Sequence, residues 1–396
     1  MKKRIDIIPK VVILLLPMLF IGCNTDIVSS NKSYFTIDSS DRKIMFPVRI
    51  NDSIKANMFF DTGTVLGCIS FDSTFCANHP FYLWEGNPDT MLLGTSSAWT
   101  YQAQLWPIFN KSLTINICKE NLKYDWFMIK DRKKHSPNNK EDGLFNIPVH
   151  DTSRVWELNF EQNYLEIHQA NDFAFPKDCH FLPFVAGPRD SSLYVQMPLK
   201  IKSVDGDTLT MNHAFLIDTG MPWDIALVSP AKELSFFEKK DAVWTGYINS
   251  YYRRYVVNAE LFECYTIDSL RIYTFDEPYL LGTQYLIGLN FLKRFNVFFD
   301  MHNRQLGLQP IKNFKRIVNP NHRRFHLSFR EDSSGKRIVN KVADYKGNRY
   351  KEAGIQEGDQ ILSVNDSAQV KVFNIIRNGK PLQITVIDDP NEEQGD

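Results

Sequence analysis

Short apolar and alternating runs, joined by polar turns, set the pattern of this chain, and such runs predict β-hairpins. One arrangement occurs twice. Met45-Phe46-Pro47-Val48-Arg49-Ile50 leads through a polar turn to Met58-Phe59-Phe60-Asp61-Thr62-Gly63. Met197-Pro198-Leu199-Lys200-Ile201 leads through a turn around Asp205-Gly206-Asp207 to Ala214-Phe215-Leu216-Ile217-Asp218-Thr219-Gly220. The spacing makes the second turn six residues longer. The parallel continues downstream. Val155 to Phe160 turns at Glu161-Gln162-Asn163 into Tyr164 to Ile167, and Phe295 to Asp300 turns at His302-Asn303-Arg304 into Gln305 to Leu308. Each copy predicts an all-β unit, one over residues 33–179 and one over 180–310. A third region, 311–396, opens with the basic, loop-like stretch Lys312 to Arg324.

Length and composition fit that division. A chain of 396 residues suits two or three domains, and 29 Phe can fill large cores. Lys plus Arg equals Asp plus Glu at 46 each, so nothing recommends nucleic acid as a partner.

The N-terminus reads as a targeting segment. Lys2, Lys3 and Arg4 precede an apolar run from Val11 to Ile21 that is too short for a membrane span. Gly22 before Cys23 resembles the lipobox of bacterial lipoproteins, with Phe20 where that family usually has Leu. The resemblance implies a signal peptide over 1–23, acylation of Cys23 and a polar tether over 24–32. It implies a protein of the cell envelope, anchored by its lipid to a bacterial membrane, the outer membrane above all. An ordinary signal peptide with an incidental Cys stays open. Of the other cysteines, Cys68 and Cys76 are close enough to pair in an exported protein, and buried free thiols are the alternative. No cysteine pair has metal-site spacing and the nine His form no cluster in sequence, so neither metal nor cofactor is expected.

A single Asp-Thr-Gly is made of common turn residues and means little. Two copies, each after an apolar strand and inside a matched repeat, mean more. At these residues the chain resembles the aspartic peptidases, both retropepsin-like and pepsin-like. Tyr285-Leu286-Ile287-Gly288-Leu289-Asn290-Phe291-Leu292 resembles the apolar-apolar-Gly element that such lobes thread beside the active-site turn. The resemblance implies two retropepsin-like β-barrel lobes forming a bilobal peptidase. Its catalytic pair would be Asp61 and Asp218, and it would hydrolyse internal peptide bonds of exported or extracellular proteins.

The chemistry needs these residue types. Two carboxylates in contact cannot both ionise cheaply, so they share a proton. The charged member can activate a water, and the protonated member can donate to the peptide carbonyl. Gly63 and Gly220 permit tight turns and close approach. The resemblance gives Thr62 and Thr219 bonds to the opposite lobe. Thr64 would bond the outer oxygen of Asp61, which Met221, at the matching place, cannot do. Leu144-Phe145-Asn146 is the first lobe's counterpart of the Gly288 element, with Asn chosen for its tolerance of left-handed backbone. Covering flaps are expected at Leu93 to Ser97 with Trp99 and Tyr101, and at Trp244 to Tyr247.

Ala353 to Asn365 resembles the core of a bacterial PDZ domain, with a closing hairpin at Arg377 to Ile387 and a peptide-pairing strand at Phe325 to Phe329. Only Asp366 to Val370 lies where the groove-wall helix should be, too few residues for it. A truncated PDZ-like α/β module follows, which either binds a peptide or packs on the lobes. Two further readings stay open for the whole chain. One is a catalytically weak, peptide-binding lipoprotein of the cell envelope, suggested by Asn146, Met221 and the third module. The other is a scaffolding lipoprotein acting through that module.

Overall fold

The computed structural model describes residues 31–37, 43–79, 90–95, 103–109, 112–130, 140–148, 150–189, 191–203, 206–237, 243–247, 250–262, 264–275, 283–314, 327–331, 335–342, 348–367 and 370–387. Residues 1–30, Cys23 among them, lie outside. The architecture is mostly β, with barrel-like sheets. No helix among the described residues is long and apolar enough to cross a membrane.

The first predicted hairpin pairs Ile44–Ile50 with Ile54–Phe60, Met45 opposite Phe59. Alternation sorts its side chains onto two faces. Phe46, Val48, Ile50, Met58 and Phe60 enter the main core, while Met45 and Phe59 join a smaller cluster with Cys68 and Leu144. The second hairpin, Tyr194–Lys202 with Thr208–Asp218, divides in the same way. Met197, Leu199, Ile201, Phe215 and Ile217 enter the main core, and Tyr194 and Leu216 face a satellite cluster around Trp223. Most of its extra length extends the strands. They run 9 and 11 residues against 7 and 7 in the first hairpin. The added length is covered by pairing, with Leu199 to Lys202 opposite Leu261 to Asn258.

Each hairpin receives a short third strand from far along the chain. Gly143–Phe145 runs parallel to the Asp61 strand and antiparallel to Ile69–Asp72. Tyr285–Gly288 does the same between the Asp218 strand and Ile225–Val228. The sequence repeat is therefore a structural repeat, down to the order of strands.

The two copies are joined below the turns. Arg154–Asn159 pairs antiparallel with Phe295–Asp300, Trp156 opposite Phe299. Hairpin partners Tyr164–Gln169 and Gln305–Pro310 flank them, and Lys32–Tyr34 and His180–Val185 extend the sheet at either side. Phe60 ties this platform to the first hairpin. Its ring stacks on Trp156 at 6.0 Å and meets Phe299 edge-on at 6.3 Å. Fully burying one such ring contributes about 1.5–3 kcal/mol.

The third region is an antiparallel sheet of its own, in the order Leu327–Glu331, Arg337–Val342, Gln360–Ser367, Val370–Arg377 and Lys380–Ile387. A separate core of Val339, Ile355, Phe373, Ile375 and Ile384 fills it. Arg377 grips Asp359 with two bonds of 2.7 Å and reaches the Gly354 carbonyl with a third. The strands Gln360–Ser367 and Val370–Arg377 pair directly, Ser367 opposite Val370. The predicted peptide-pairing strand is the edge strand Leu327–Glu331, and Phe325 and His326 lie outside the described residues.

Candidate active site

Asp61 directly follows the strand Ile54–Phe60, and Asp218 closes Thr208–Asp218. Each carboxylate is first held inside its own turn. The Gly63 N–H donates to Asp61 Oδ1 at 3.0 Å, and the Gly220 N–H donates to Asp218 Oδ1 at 2.8 Å.

The turns are then locked to each other. The Thr62 N–H donates to Thr219 Oγ1 at 3.0 Å, and the Thr219 N–H donates to Thr62 Oγ1 at 3.1 Å. Each hydroxyl passes its proton on across the boundary, Thr62 to the Ile217 carbonyl at 3.0 Å and Thr219 to the Phe60 carbonyl at 2.9 Å. Both side chains have no solvent exposure. Reciprocal bonds of this kind leave no buried threonine group unpaired, which is what fixes the relative position of the turns.

The glycines show how close the turns come. A Cβ on Gly63 would fall 2.2–2.4 Å from the Asp218 carboxyl atoms, which no side chain could tolerate. A Cβ on Gly220 would lie 2.7 Å from Asp61 Oδ1 and 3.0 Å from Asp218 Oδ1. One point that near both oxygens brings the carboxylates within strong mutual influence. The pair is unequal. Asp218 is 3% exposed, whereas Asp61 is half-buried. Burial, and next the charge of Asp61, push the Asp218 carboxyl well above the usual carboxylate range. The Gly220 and Met221 N–H groups and Arg189 act in the opposite direction.

Thr64 departs from expectation. Its hydroxyl donates at 2.8 Å to the Asp61 backbone carbonyl, bracing the turn and leaving the outer carboxylate oxygen to other partners. Met221 occupies the matching place, and its N–H closes the turn on the Asp218 carbonyl at 3.2 Å.

Strand register makes Asn146 the counterpart of Gly288. Phe145 sits opposite Phe60, one step before Asp61, and Gly288 sits opposite Asp218. Left-handed backbone is not the reason for either residue. Gly288 has φ −100, and Asn146 carries no positive φ. The reason is space. A Cβ on Gly288 would meet the Trp223 carbonyl oxygen at 2.4 Å. There the Leu289 N–H donates directly to the Met221 carbonyl at 2.7 Å. In the first copy the Asn146 side chain is inserted into that bond. Its Nδ2 donates to the Thr64 carbonyl at 3.0 Å and its Oδ1 accepts from the Ile147 N–H at 2.7 Å. The amide replaces one backbone bond by two, so the substitution keeps the turn anchored.

Two residues were missed in the sequence. Tyr124, fully buried, donates to the Asn146 carbonyl at 2.6 Å. Arg189, half-buried, donates from Nη1 to the Gly63 carbonyl at 2.9 Å. Neither carries a motif, and Arg189 precedes the second repeat, where no alignment of the copies reaches it.

Hairpins stand at both expected flap positions. Thr90–Thr95 pairs with Ala103–Phe109, and Val243–Tyr247 pairs with Ser250–Leu261. Ser96, Ser97, Trp99 and Tyr101 lie outside the described residues. The Cys68–Cys76 pairing is not made. Both are buried thiols outside any disulfide, and burial pushes the Cys76 thiol up to about 12. Spacing in the sequence gave no metal cluster, yet folding gathers Glu157, Glu166 and His168 with donor atoms within 4.8 Å of one another. Their first business is with each other and with Tyr164. His168 Nε2 lies 2.9 Å from Glu157 Oε2, and the Tyr164 hydroxyl donates to Oε1 at 2.7 Å. No protein-family model matches the chain, and no curated protein matches it.

Proposed function

We propose that the chain is an aspartic endopeptidase, with Asp61 and Asp218 as its catalytic dyad. Residues 33–179 and 180–310 would be its two retropepsin-like lobes. The observation that carries this reading is the reciprocal Thr62–Thr219 network. It spends four buried hydrogen bonds on holding two aspartate turns face to face, where a fold indifferent to chemistry would separate like charges.

The unequal burial suggests the division of labour. Asp218 favours the protonated form, and Asp61, the more open to solvent, would serve as the base. The macroscopic titration belongs to the pair. In the productive state one proton is shared. The ionised carboxylate draws a proton from a water as that water attacks the peptide carbonyl carbon. The protonated carboxyl donates to the carbonyl oxygen, giving a neutral tetrahedral diol. Collapse of the diol breaks the C–N bond as the proton held by the base passes to the departing nitrogen and one diol hydroxyl returns its proton to the other carboxylate while the carbonyl re-forms. The fixed Gly63 and Gly220 N–H bonds keep the carboxylates in place throughout, so little reorganisation is needed.

The rest of the chain fits an exported peptidase. Residues 1–23 would direct lipidation of Cys23 and hold the enzyme to a membrane of the bacterial envelope. Residues 311–396 would be a truncated PDZ-like module without a complete peptide groove.

The test is cleavage of unstructured protein and of peptide libraries from acidic to neutral pH. Wild type should cleave within peptides, and Asp61→Asn or Asp218→Asn should each lower kcat/KM at least about a hundredfold. Full cleavage by both variants sinks the proposal. Absence of cleavage, with peptide binding equal in wild type and both variants, would favour capture without turnover. The Thr64 hydroxyl turned to the backbone is the observation on the side of that second reading.

A further inference from the structure

We infer that Arg189 is a positioning residue of the dyad, holding the Asp61 turn from the second copy and placing a fixed positive charge beside the two carboxylates. The inference rests on the peptidase reading.

The geometry begins with residues 186–189 and 191–193, between His180–Val185 and Tyr194–Lys202. Three bonds tie these residues to the stretch after Asp61 and to the strand that ends in Asp218. Arg189 Nη1 donates to the Gly63 carbonyl at 2.9 Å. The Leu66 N–H donates to the Ser191 carbonyl at 2.6 Å. The Ile217 N–H, one residue before Asp218, donates to the Leu193 carbonyl at 2.9 Å. Within a few residues the segment therefore grips the Asp61 turn at two points and the Asp218 strand at a third. Its approach is close-packed. A Cβ on Gly187 would fall 2.3 Å from the Tyr194 ring, and the Tyr194 hydroxyl is itself held 2.9 Å from Thr283 Oγ1.

Charge adds to grip. A dyad in its working form carries one negative charge in a site with little water, and a nearby cation lowers the cost of that charge. The charged side chains that act on Asp218 are Asp61, from the facing turn, and Arg189, from this segment. The Gly220 and Met221 N–H groups add fixed dipoles from the Asp218 turn itself. Arg suits the place better than Lys. A planar fork can hold a carbonyl with one N–H while keeping its delocalised charge aligned, and it does not titrate.

The sign of the effect is definite. A positive neighbour lowers both apparent pKa values of the dyad, so removing it raises both. Wild type, Arg189→Met, Arg189→Gln and Arg189→Lys are compared as full-length chains on a neutral quenched peptide and on an acidic one, with kcat and KM followed against pH. In R189M both limbs of the profile should move to higher pH by roughly 0.5–1 unit, with kcat reduced about tenfold and KM little changed. R189Q keeps a donor but loses the charge, and should show the same shift even if R189M proves too unstable to assay. R189K should restore the limbs while kcat stays below wild type. Limbs unmoved in R189M and R189Q, whatever their melting temperatures, overturn the inference. A change confined to KM for the acidic peptide overturns it too, since Arg189 would then be reading substrate. A wild type that cleaves nothing removes the peptidase reading and this inference together. Normal wild-type cleavage with unmoved limbs removes this inference alone.

Discussion

Asp218 is held where a carboxylate is least comfortable, buried and facing another acid, and that discomfort should be measurable as lost stability. Its folded-state pKa is raised, so the folded chain resists ionising it. The sign follows from linkage. Well below the usual Asp range both states are protonated and no penalty exists; as pH climbs through that range the unfolded chain ionises first, and the penalty grows until the folded carboxyl also ionises. Asp218→Asn keeps an oxygen for the Gly220 N–H and removes the charge. It should therefore melt higher than wild type at pH 7 and equally near pH 3, while losing activity. A variant that melts lower at pH 7 would show that the carboxylate is stabilising where it stands. At this scale the repeat in the sequence was enough to bring the right residues to one place: Asp61, Asp218, Thr62, Thr219, Gly63 and Gly220 stand together in two facing turns. Thr64 was misread because its identity promises a hydroxyl and says nothing of its direction; that hydroxyl donates to the Asp61 backbone carbonyl. Arg189 left no mark at all, since one basic residue in a polar loop looks like any other.

Between elements, the informative unit is the hairpin with its inserted third strand. Apolar alternation revealed the hairpins, and comparing the copies revealed that Asn146 answers to Gly288. What alternation cannot reveal is a hydrogen bond passing through a side chain. In one copy the backbone bond from Leu289 to Met221 closes the motif; in the other the Asn146 amide stands between Ile147 and Thr64. This predicts an unusual order of substitutions. Asn146→Ala strands both the Ile147 N–H and the Thr64 carbonyl in a buried place and should cost about 1–3 kcal/mol. Asn146→Gly removes the Cβ as well, which lets the two backbone groups close on each other as they do around Gly288. Despite the greater flexibility of Gly in the unfolded chain, N146G should therefore be the milder change in denaturant melts. N146G falling below N146A would mean that the strand cannot slide inward and that the amide has become indispensable.

Taken whole, the molecule divides by its cores rather than by its sheets. The two aspartate hairpins share one hydrophobic cluster that runs through Trp156, Phe299 and the platform strands, so neither copy has a complete core without the other. Among the described residues, the buried members of the third sheet's cluster run from Val339 to Val386 and none joins the first, whose furthest packed residue is Ile311. A hydrophobic core contributes to stability in proportion to the area it removes from water, so two separate cores should unfold as two cooperative units. Full-length protein should then show two calorimetric transitions. Removing residues 324–396 should abolish one and leave the other, together with peptide cleavage, unchanged within error. In the sequence, the basic stretch after Lys312 and the short run Asp366 to Val370 were the features that set this region apart. The sequence could not say whether the third sheet leans on the dyad, because such a contact is made by surface side chains that follow no period. Loss of cleavage on truncation, in a protein that keeps its remaining transition, would mean that the third sheet reaches the active site and is part of how the substrate is held.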